Sequence, residues 1–389
     1  LKTLYDAGET NAYTITIKSD DATGSTAAEF NTINSATSVA INASAVTALS
    51  GTASDIATLM LAATDTNQFT GTSFDSVAAN GLSITGTAID VTDLNNALSR
   101  TTSVSDNTVL ATFASAQGDI TVSGGTASEF DTLLSLEGTN VNITGLNLTV
   151  DGSTVSVTQA NNLTATTSGT VTATLTSGAV TDLTDLSEDT DNNAALSITI
   201  TDTSASAADL NTINAATTQA VDATAITTIS SSTLGAISTL GGAITGGDFA
   251  ATNAIATINV SGAAIDYTLL GSEIDRFDNF RTDPAIASFV LADTTTVTLG
   301  SQTEVDNFLS DVNANLVSVS GGTQSVTVTP SGSGGVDISH TDANSLATKA
   351  GGTVTATIAS GTTVDQLVTL RTPNGSDNEE NAYTITIAN

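Results

Sequence analysis

The chain has 389 residues with no cysteine or tryptophan, 4% aromatic side chains, and 7 basic against 40 acidic residues, for a formal charge of -33. That composition excludes disulfides, cysteine-ligated zinc and thiol chemistry, and charge of one sign repels phosphate backbones and anionic lipid, arguing against nucleic-acid and membrane-surface partners. Small side chains cannot fill a thick globular core, so thin repeated layers of Ile, Val, Leu and Ala are expected.

Short alternating segments begin at AYTITI (12–17) and continue as VAINAS (39–44), LSITG (82–86), DITVSG (119–124), VNITG (141–145) and TVTATL (170–175). The second half supplies LSITI (196–200), AVDAT (220–224), INVSG (258–262), TVTLG (296–300), VDIS (336–339) and TVTATI (353–358). β-Branched residues at a period of two predict strands of about four to six residues. Helix starts follow many of them. Thr26 with Glu29, Thr126 with Glu129, Ser206 with Asp209 and Ser301 with Glu304 place a hydroxyl three residues before a carboxylate and just ahead of Phe30, Phe130, Leu210 and Val305. This is the capping-box pattern, in which both side chains satisfy amides at a helix start. Thr52 with Asp55 and Thr362 with Asp365 are weaker examples.

Each unit therefore reads as strand, tight turn and a helix of two or three turns, such as TASEFDTLLSL (126–136). The next strand arrives about 20 to 26 residues later, the length of one α/β solenoid turn. The predicted fold is an α/β repeat protein, a solenoid of short parallel strands and short helices. Its inward residues are Leu133, Ile213 and Leu309 on helices and Ile15, Ile143 and Ile198 on strands. The competing arrangement is a string of tandem β-sandwich domains. Capping boxes favour the solenoid, because sandwiches have little use for them. Pro330 opens the Gly-rich SGSGG, the most linker-like stretch.

The chain also repeats collinearly at about 180 residues, a long-period self-similarity typical of arrays. AAEFNTINSATSVAINASAVTALS (27–50) returns as AADLNTINAATTQAVDATAITTIS (207–230), and TQANNLTATTSGTVTATL (158–175) as TDANSLATKAGGTVTATI (341–358). The motif NAYTITI occurs at 11–17 and again at 381–387. This predicts two collinear modules, 1–186 and 187–370, with 371–389 starting a third, as in a window on a longer array. Its ends are expected to pack against adjacent repeats or against copies of the chain, end to end, and any export signal is expected outside this segment.

Candidate chemistry is sparse. The one histidine, His340, aligns with Val157 and reads as a strand-end surface residue, one position before a helix cap. No G-x-S-x-G or similar nucleophile motif accompanies it. Oxygen ligands cluster in DLTDLSEDTDNN (182–193), with Asp182, Asp185, Glu188, Asp189 and Asp191, and in TPNGSDNEEN (372–381), with Asp377, Glu379 and Glu380. Calcium takes such hard oxygens six to eight at a time, although neither loop has EF-hand or β-roll spacing, and a solvated acidic loop is the plainer reading. No cofactor is otherwise implied. Alternating threonines suit the solvent face of strands. Arg276 and Arg281, the close basic pair, sit among acids that explain them by local ion pairing.

The phrases TSASAADLNTINAATTQAVDATAITTIS (203–230) and SGTVTATLTSGAVTDL (168–183) resemble the low-complexity repeats of giant cell-surface proteins of marine cyanobacteria, the Synechococcus motility and surface-layer type. The likeness is densest at 195–240, clear at 12–61 and 169–186, and thin elsewhere. It is one of repeat grammar and carries over no functional residue. It implies a structural, self-associating, extracellular bacterial surface protein of a filament, surface layer or motility appendage, with itself and other surface components as partners, and no enzyme. The alternative is a calcium-dependent adhesin or glycan-binding module.

Overall fold

The computed structural model describes residues 11–18, 26–70, 81–99, 110–250, 255–279, 288–292, 294–319, 324–371 and 381–386. Twelve α-helices lie among them: α1 (Ala27–Ser35), α2 (Ala53–Ala62), α3 (Val91–Leu98), α4 (Ala127–Leu136), α5 (Val157–Thr166), α6 (Val180–Leu183), α7 (Ala207–Asn214), α8 (Leu234–Gly246), α9 (Tyr267–Asn279), α10 (Gln302–Asn313), α11 (His340–Lys349) and α12 (Val364–Leu367).

The hydroxyl–carboxylate pairs start the helices where the sequence places them. The Glu29 amide donates to Thr26 Oγ1 at 3.3 Å while the Thr26 amide donates to the Glu29 carboxylate at 3.0 Å. Ser206 and Ser301 accept from the amides of Asp209 and Glu304 at 3.0 and 3.2 Å, and the Thr126 amide donates to Glu129 at 2.8 Å. Each bond satisfies a first-turn amide that has no partner within its helix. Two boundaries differ from expectation by a residue or two. The cap of α12 is Thr363 with Gln366, not Thr362 with Asp365. Ser339 caps α11, so His340 is its first helical residue rather than the end of a strand.

Contacts group the chain into two units. The first, Leu1–Thr176 with Asp185–Ile198 and Ala216–Gln219, holds a three-stranded sheet of Leu49–Thr52, Leu82–Thr85 and Thr112–Phe113. Its five-stranded sheet runs through Ala88–Asp90, Thr121–Gly125, Asn147–Val155, Val171–Leu175 and Ala194–Ser197. The second unit, Ser177–Thr184, Thr199–Ala215 and Ala220–Asn389, has two five-stranded sheets. One orders Ser204–Ala205, Thr228–Thr233, Thr257–Ser261, Ser288–Leu291 and Val317–Val319; the other Ala264–Asp266, Thr296–Leu299, Ser325–Val328, Val354–Ile358 and Ala382–Ile385.

Every described pairing is parallel, so the tandem antiparallel sandwich is not the architecture. Parallel neighbours cannot be joined by a hairpin, and the chain here crosses over between them, in most cases through a helix. Register stacks like on like. Ile265, Val297, Val326 and Val354 form one buried row, and Thr298, Thr327 and Thr355 the more exposed row beside it. Of the residues expected inside, Leu133, Ile143, Ile198, Ile213 and Ile15 are buried. Leu309 is only half-buried: Val305 and Phe308, one helical turn apart, take the inner stripe of α10.

Two recurrent devices fix the corners and link the turns. At strand ends, Asn142 and Asp222 accept from the amide and hydroxyl of Thr144 and Thr224, and Asn42 accepts from the Ser44 amide, fixing the corner. The Thr224 bonds hold the Asp222 carboxyl below the usual range. On alternate helices an Asn at the fifth position reaches out to a backbone carbonyl: Asn31 to Asp55, Asn95 to Glu129, Asn161 to Asp185, Asn211 to Ala236 and Asn344 to Thr369, at 2.8 to 3.0 Å. The SGSGG stretch is a turn rather than a linker, held by bonds from the Ser331 amide and hydroxyl to Asp337 at 3.0 and 2.8 Å.

Candidate functional site

The first acidic loop is built around one carboxylate. Asp189 accepts from the amides of Asn193 and Ala194, both at 3.0 Å, and so closes the turn that leads into strand Ala194–Ser197. Asn161 clamps its start, donating to the Asp185 carbonyl at 2.9 Å and accepting from the Ser187 amide at 2.9 Å. Asp182, Asp185, Glu188 and Asp191 are exposed. Asp377, Glu379 and Glu380 lie outside the described residues. Among the described residues no group of three or more Asp, Glu, His or Cys is arranged to hold a metal ion.

Ionisable groups in the interior have local partners. The Tyr267 hydroxyl donates to Asp311; burial first, then that bond, pushes the phenol above its usual value, and burial pushes the Asp311 carboxyl up. Glu273, fully buried, accepts from Ser238 Oγ at 2.9 Å and pairs with Arg276 at 3.1 Å. Arg276 finds its ionic partner in Glu273, three residues before it, and Arg281 lies outside the described residues. His340 is half-buried at the start of α11.

A segment that occurs three times, bridged extended chain at 11–17 and a strand at Ala194–Ser197 and Ala382–Ile385, carries the more informative geometry. At residues 11–17, Thr37 Oγ1 donates to the Tyr13 carbonyl at 2.8 Å and accepts from the Tyr13 amide at 3.1 Å. The Ser38 amide donates to the Asn11 carbonyl and the Ile17 amide to the Asn42 carbonyl, both at 2.9 Å. At residues 194–200 the same pattern returns. Thr217 Oγ1 brackets Leu196 at 2.7 and 3.0 Å, the Thr218 amide donates to Ala194 at 2.8 Å, and the Ile200 amide donates to Asp222 at 2.9 Å. Here the opposite edge is also used, since Ala194–Ser197 pairs with Val171–Leu175.

At residues 381–386 the pairing among the described residues is on that opposite edge, Ala382–Ile385 lying against Val354–Ile358. Ile385 is 41% exposed, whereas its counterparts Ile15 and Ile198 are 6% and 1% exposed. The preceding helix tells the same story. Val180 in α6 is 6% exposed and α6 packs on α7, whereas Val364 at the same position of α12 is 61% exposed. Tyr383 remains anchored, donating to the Ala343 carbonyl at 3.3 Å, and burial pushes its hydroxyl up to about 12. The repeat makes this segment legible in the sequence, whereas the bracketing threonine shows there only as Thr37 and Thr217 at matching positions of the two copies.

Comparison with protein-family models, with curated proteins and with solved structures finds no match for this chain.

Proposed function

We propose that this chain is a structural, self-associating segment of an extracellular bacterial surface protein, wound as an α/β solenoid in two collinear modules and serving a filament, surface layer or motility-related appendage. Its role is mechanical: successive turns bury one another, and the edge of one turn is the template for the next. The observation that carries this reading is the segment at 194–200, held on one edge by Val171–Leu175 and on the other by the Thr217 bracket, so that one turn of chain is enclosed between its two neighbours. A parallel strand presents on each edge a row of backbone groups that templates a further strand, so such turns extend by stacking. A charge of -33 accords with a salty exterior, because self-repulsion reaching roughly 8 Å at 0.15 M salt shrinks to about 3 Å at 1 M. Negative-stain electron microscopy of the purified chain at rising concentration and salt tests the proposal: ordered fibres or sheets are expected, and dispersed single particles throughout would refute it.

A further inference from the structure

We infer that Asn142 is an acceptor for N-linked glycosylation, taking a hexose from a nucleoside-diphosphate sugar by the action of a soluble glycosyltransferase. The inference goes beyond the assembly reading and stands or falls without it.

The acceptor pattern is Asn, any residue but proline, then Ser or Thr, so both the amide and the hydroxyl two residues on must be presented. It occurs at Asn42, Asn142, Asn147, Asn162, Asn259 and Asn374, of which Asn374 lies outside the described residues. The fold sets most of the others aside. Asn147 has both ends of its amide engaged, donating to the Gly118 carbonyl at 3.0 Å and accepting from the Thr170 amide at 2.8 Å. Asn259 is half-buried in the middle strand of its sheet and donates through Nδ2 to the Ile229 carbonyl at 3.0 Å. Asn162 is inside α5, where residues two apart point to different faces, and Thr164 turns its hydroxyl back on the Ala160 carbonyl at 3.1 Å. Asn42 is half-buried beside the bridged Thr16, and its side chain accepts from Ser44 through the backbone amide, at 3.0 Å.

Asn142 differs on each count. It and Thr144 are exposed at a corner while Ile143 between them is buried, so the two groups of the pattern face outward together. Its Oδ1 accepts from the Thr144 amide at 3.0 Å and from the Thr144 hydroxyl at 2.7 Å. These bonds tie amide to hydroxyl and settle which end of the amide is the nitrogen. Nδ2 has no hydrogen-bond partner among the described residues. The corner does not need that nitrogen. Asp222 builds the same corner with a carboxylate, accepting from the Thr224 amide and hydroxyl at 3.1 and 2.7 Å. Holding the turn therefore accounts for the side-chain oxygen of Asn142 and leaves its nitrogen to another use.

In the transfer, Nδ2 bonds to the anomeric carbon of the hexose as the bond from that carbon to the diphosphate oxygen breaks. The nucleoside diphosphate leaves with the electron pair, and one amide proton passes to a base of the enzyme. Oδ1 remains an acceptor in the product, so the glycan and the two Thr144 bonds coexist.

The folded full-length chain, incubated with a purified soluble asparagine glycosyltransferase and UDP-glucose, tests this by intact mass and peptide mapping. Among the described acceptors a hexose is expected on Asn142. Asn142→Asp keeps the oxygen that suffices for the corner at Asp222 and is expected to lose that hexose. Thr144→Ser is expected to retain transfer, and Thr144→Val to lose most of it. Circular dichroism matching the unsubstituted chain certifies that each variant is folded. No hexose on Asn142 of the folded chain overturns the inference. So does transfer to Asn147, Asn162 or Asn259 at the same rate, or a Thr144→Val chain modified as fast as the unsubstituted one. Fibre formation, read separately by microscopy, decides the assembly reading and leaves this result untouched.

Discussion

Helices α2 and α3 of the first unit and α8 and α9 of the second hold corresponding places in the repeat, yet they pack by different chemistry. Five and eight residues after the cap Thr52 stand Ala57 and Met60; at the same distances from the cap Thr233 stand Ser238 and Gly241. Seven residues after Asp90 is Ala97, and seven after Asp266 is Glu273. In the first unit Met60 and Ala97 are buried and apolar. In the second, a Cβ on Gly241 would lie 2.9 Å from Glu273 Oε2 and 3.0 Å from Arg276 Cδ, so the missing methionine side chain is the space that the ion pair fills. Arg276 also donates to the Ser238 carbonyl at 3.0 Å. One backbone position is thus compatible with a greasy filling or with a charge, provided the charge arrives with its partners.

The largest break in that comparison comes from removing one partner. Arg276→Ala leaves the Glu273 carboxylate fully buried with Ser238 Oγ as its remaining donor, and about 3 kcal/mol of stability should be lost, the low end of the range for a broken buried pair because the Arg276 side chain is 35% exposed. Urea unfolding measures it. A loss below about 0.5 kcal/mol, the size of an ordinary surface substitution, would show that the pair is a surface feature in energetic terms.

A smaller effect sharpens the same contrast. Gly241→Met alone crowds Glu273 and Arg276 and should cost about 1 to 3 kcal/mol as overpacking. Combining it with Ser238→Ala and Glu273→Ala rebuilds the pattern of the first unit, and the triple variant should recover most of that loss. If it is no more stable than Gly241→Met, the two helix pairs differ in more than these positions.

How far the sequence discloses this can be traced residue by residue. Caps and strands are legible because they obey local rules: Thr26, Thr126, Ser206 and Ser301 stand three residues before their carboxylates, and TVTATL alternates along Val171–Leu175 with its valine and leucine inside and its threonines outside. The repeat supplies the rest of the periodicity. What escapes is long-range. The Glu273 pair depends on Ser238 and Gly241 some thirty-odd residues earlier, and nothing in EIDRF by itself says that Glu273 is buried. The asparagine reach from α1, α3, α5, α7 and α11 spans 24 to 34 residues of sequence and shows only as an Asn at one helical position. The acidic loop shows in composition as a cluster of carboxylates, and composition does not reveal that Asp189 accepts from the Asn193 and Ala194 amides.

The smallest effect concerns a contact that the two helix arrays share. Thr92 donates to the Glu129 carboxylate at 2.8 Å, and Thr268 to the Glu304 carboxylate at 2.9 Å, so a threonine at the second position of one helix engages the capping acid of the next in both units. Glu129 also accepts from the Thr126 amide, and these bonds, the backbone one first, hold its carboxyl below the usual glutamate value near 4.5. A carboxyl whose value is lowered by folding contributes stability that is present above its unfolded value and is lost as the pH falls through its folded one. Thr92→Val removes one of the donors that favour the charged form and leaves the Thr126 amide in place. The Glu129 midpoint, followed by NMR of its carboxyl carbon, should therefore move upward but stay below the ordinary range, and the acid loss of stability that Glu129 contributes should shrink. An unmoved midpoint would mean that the Thr126 amide and hydroxyl alone set the Glu129 charge, and that the threonine common to both units serves packing between helices rather than the cap.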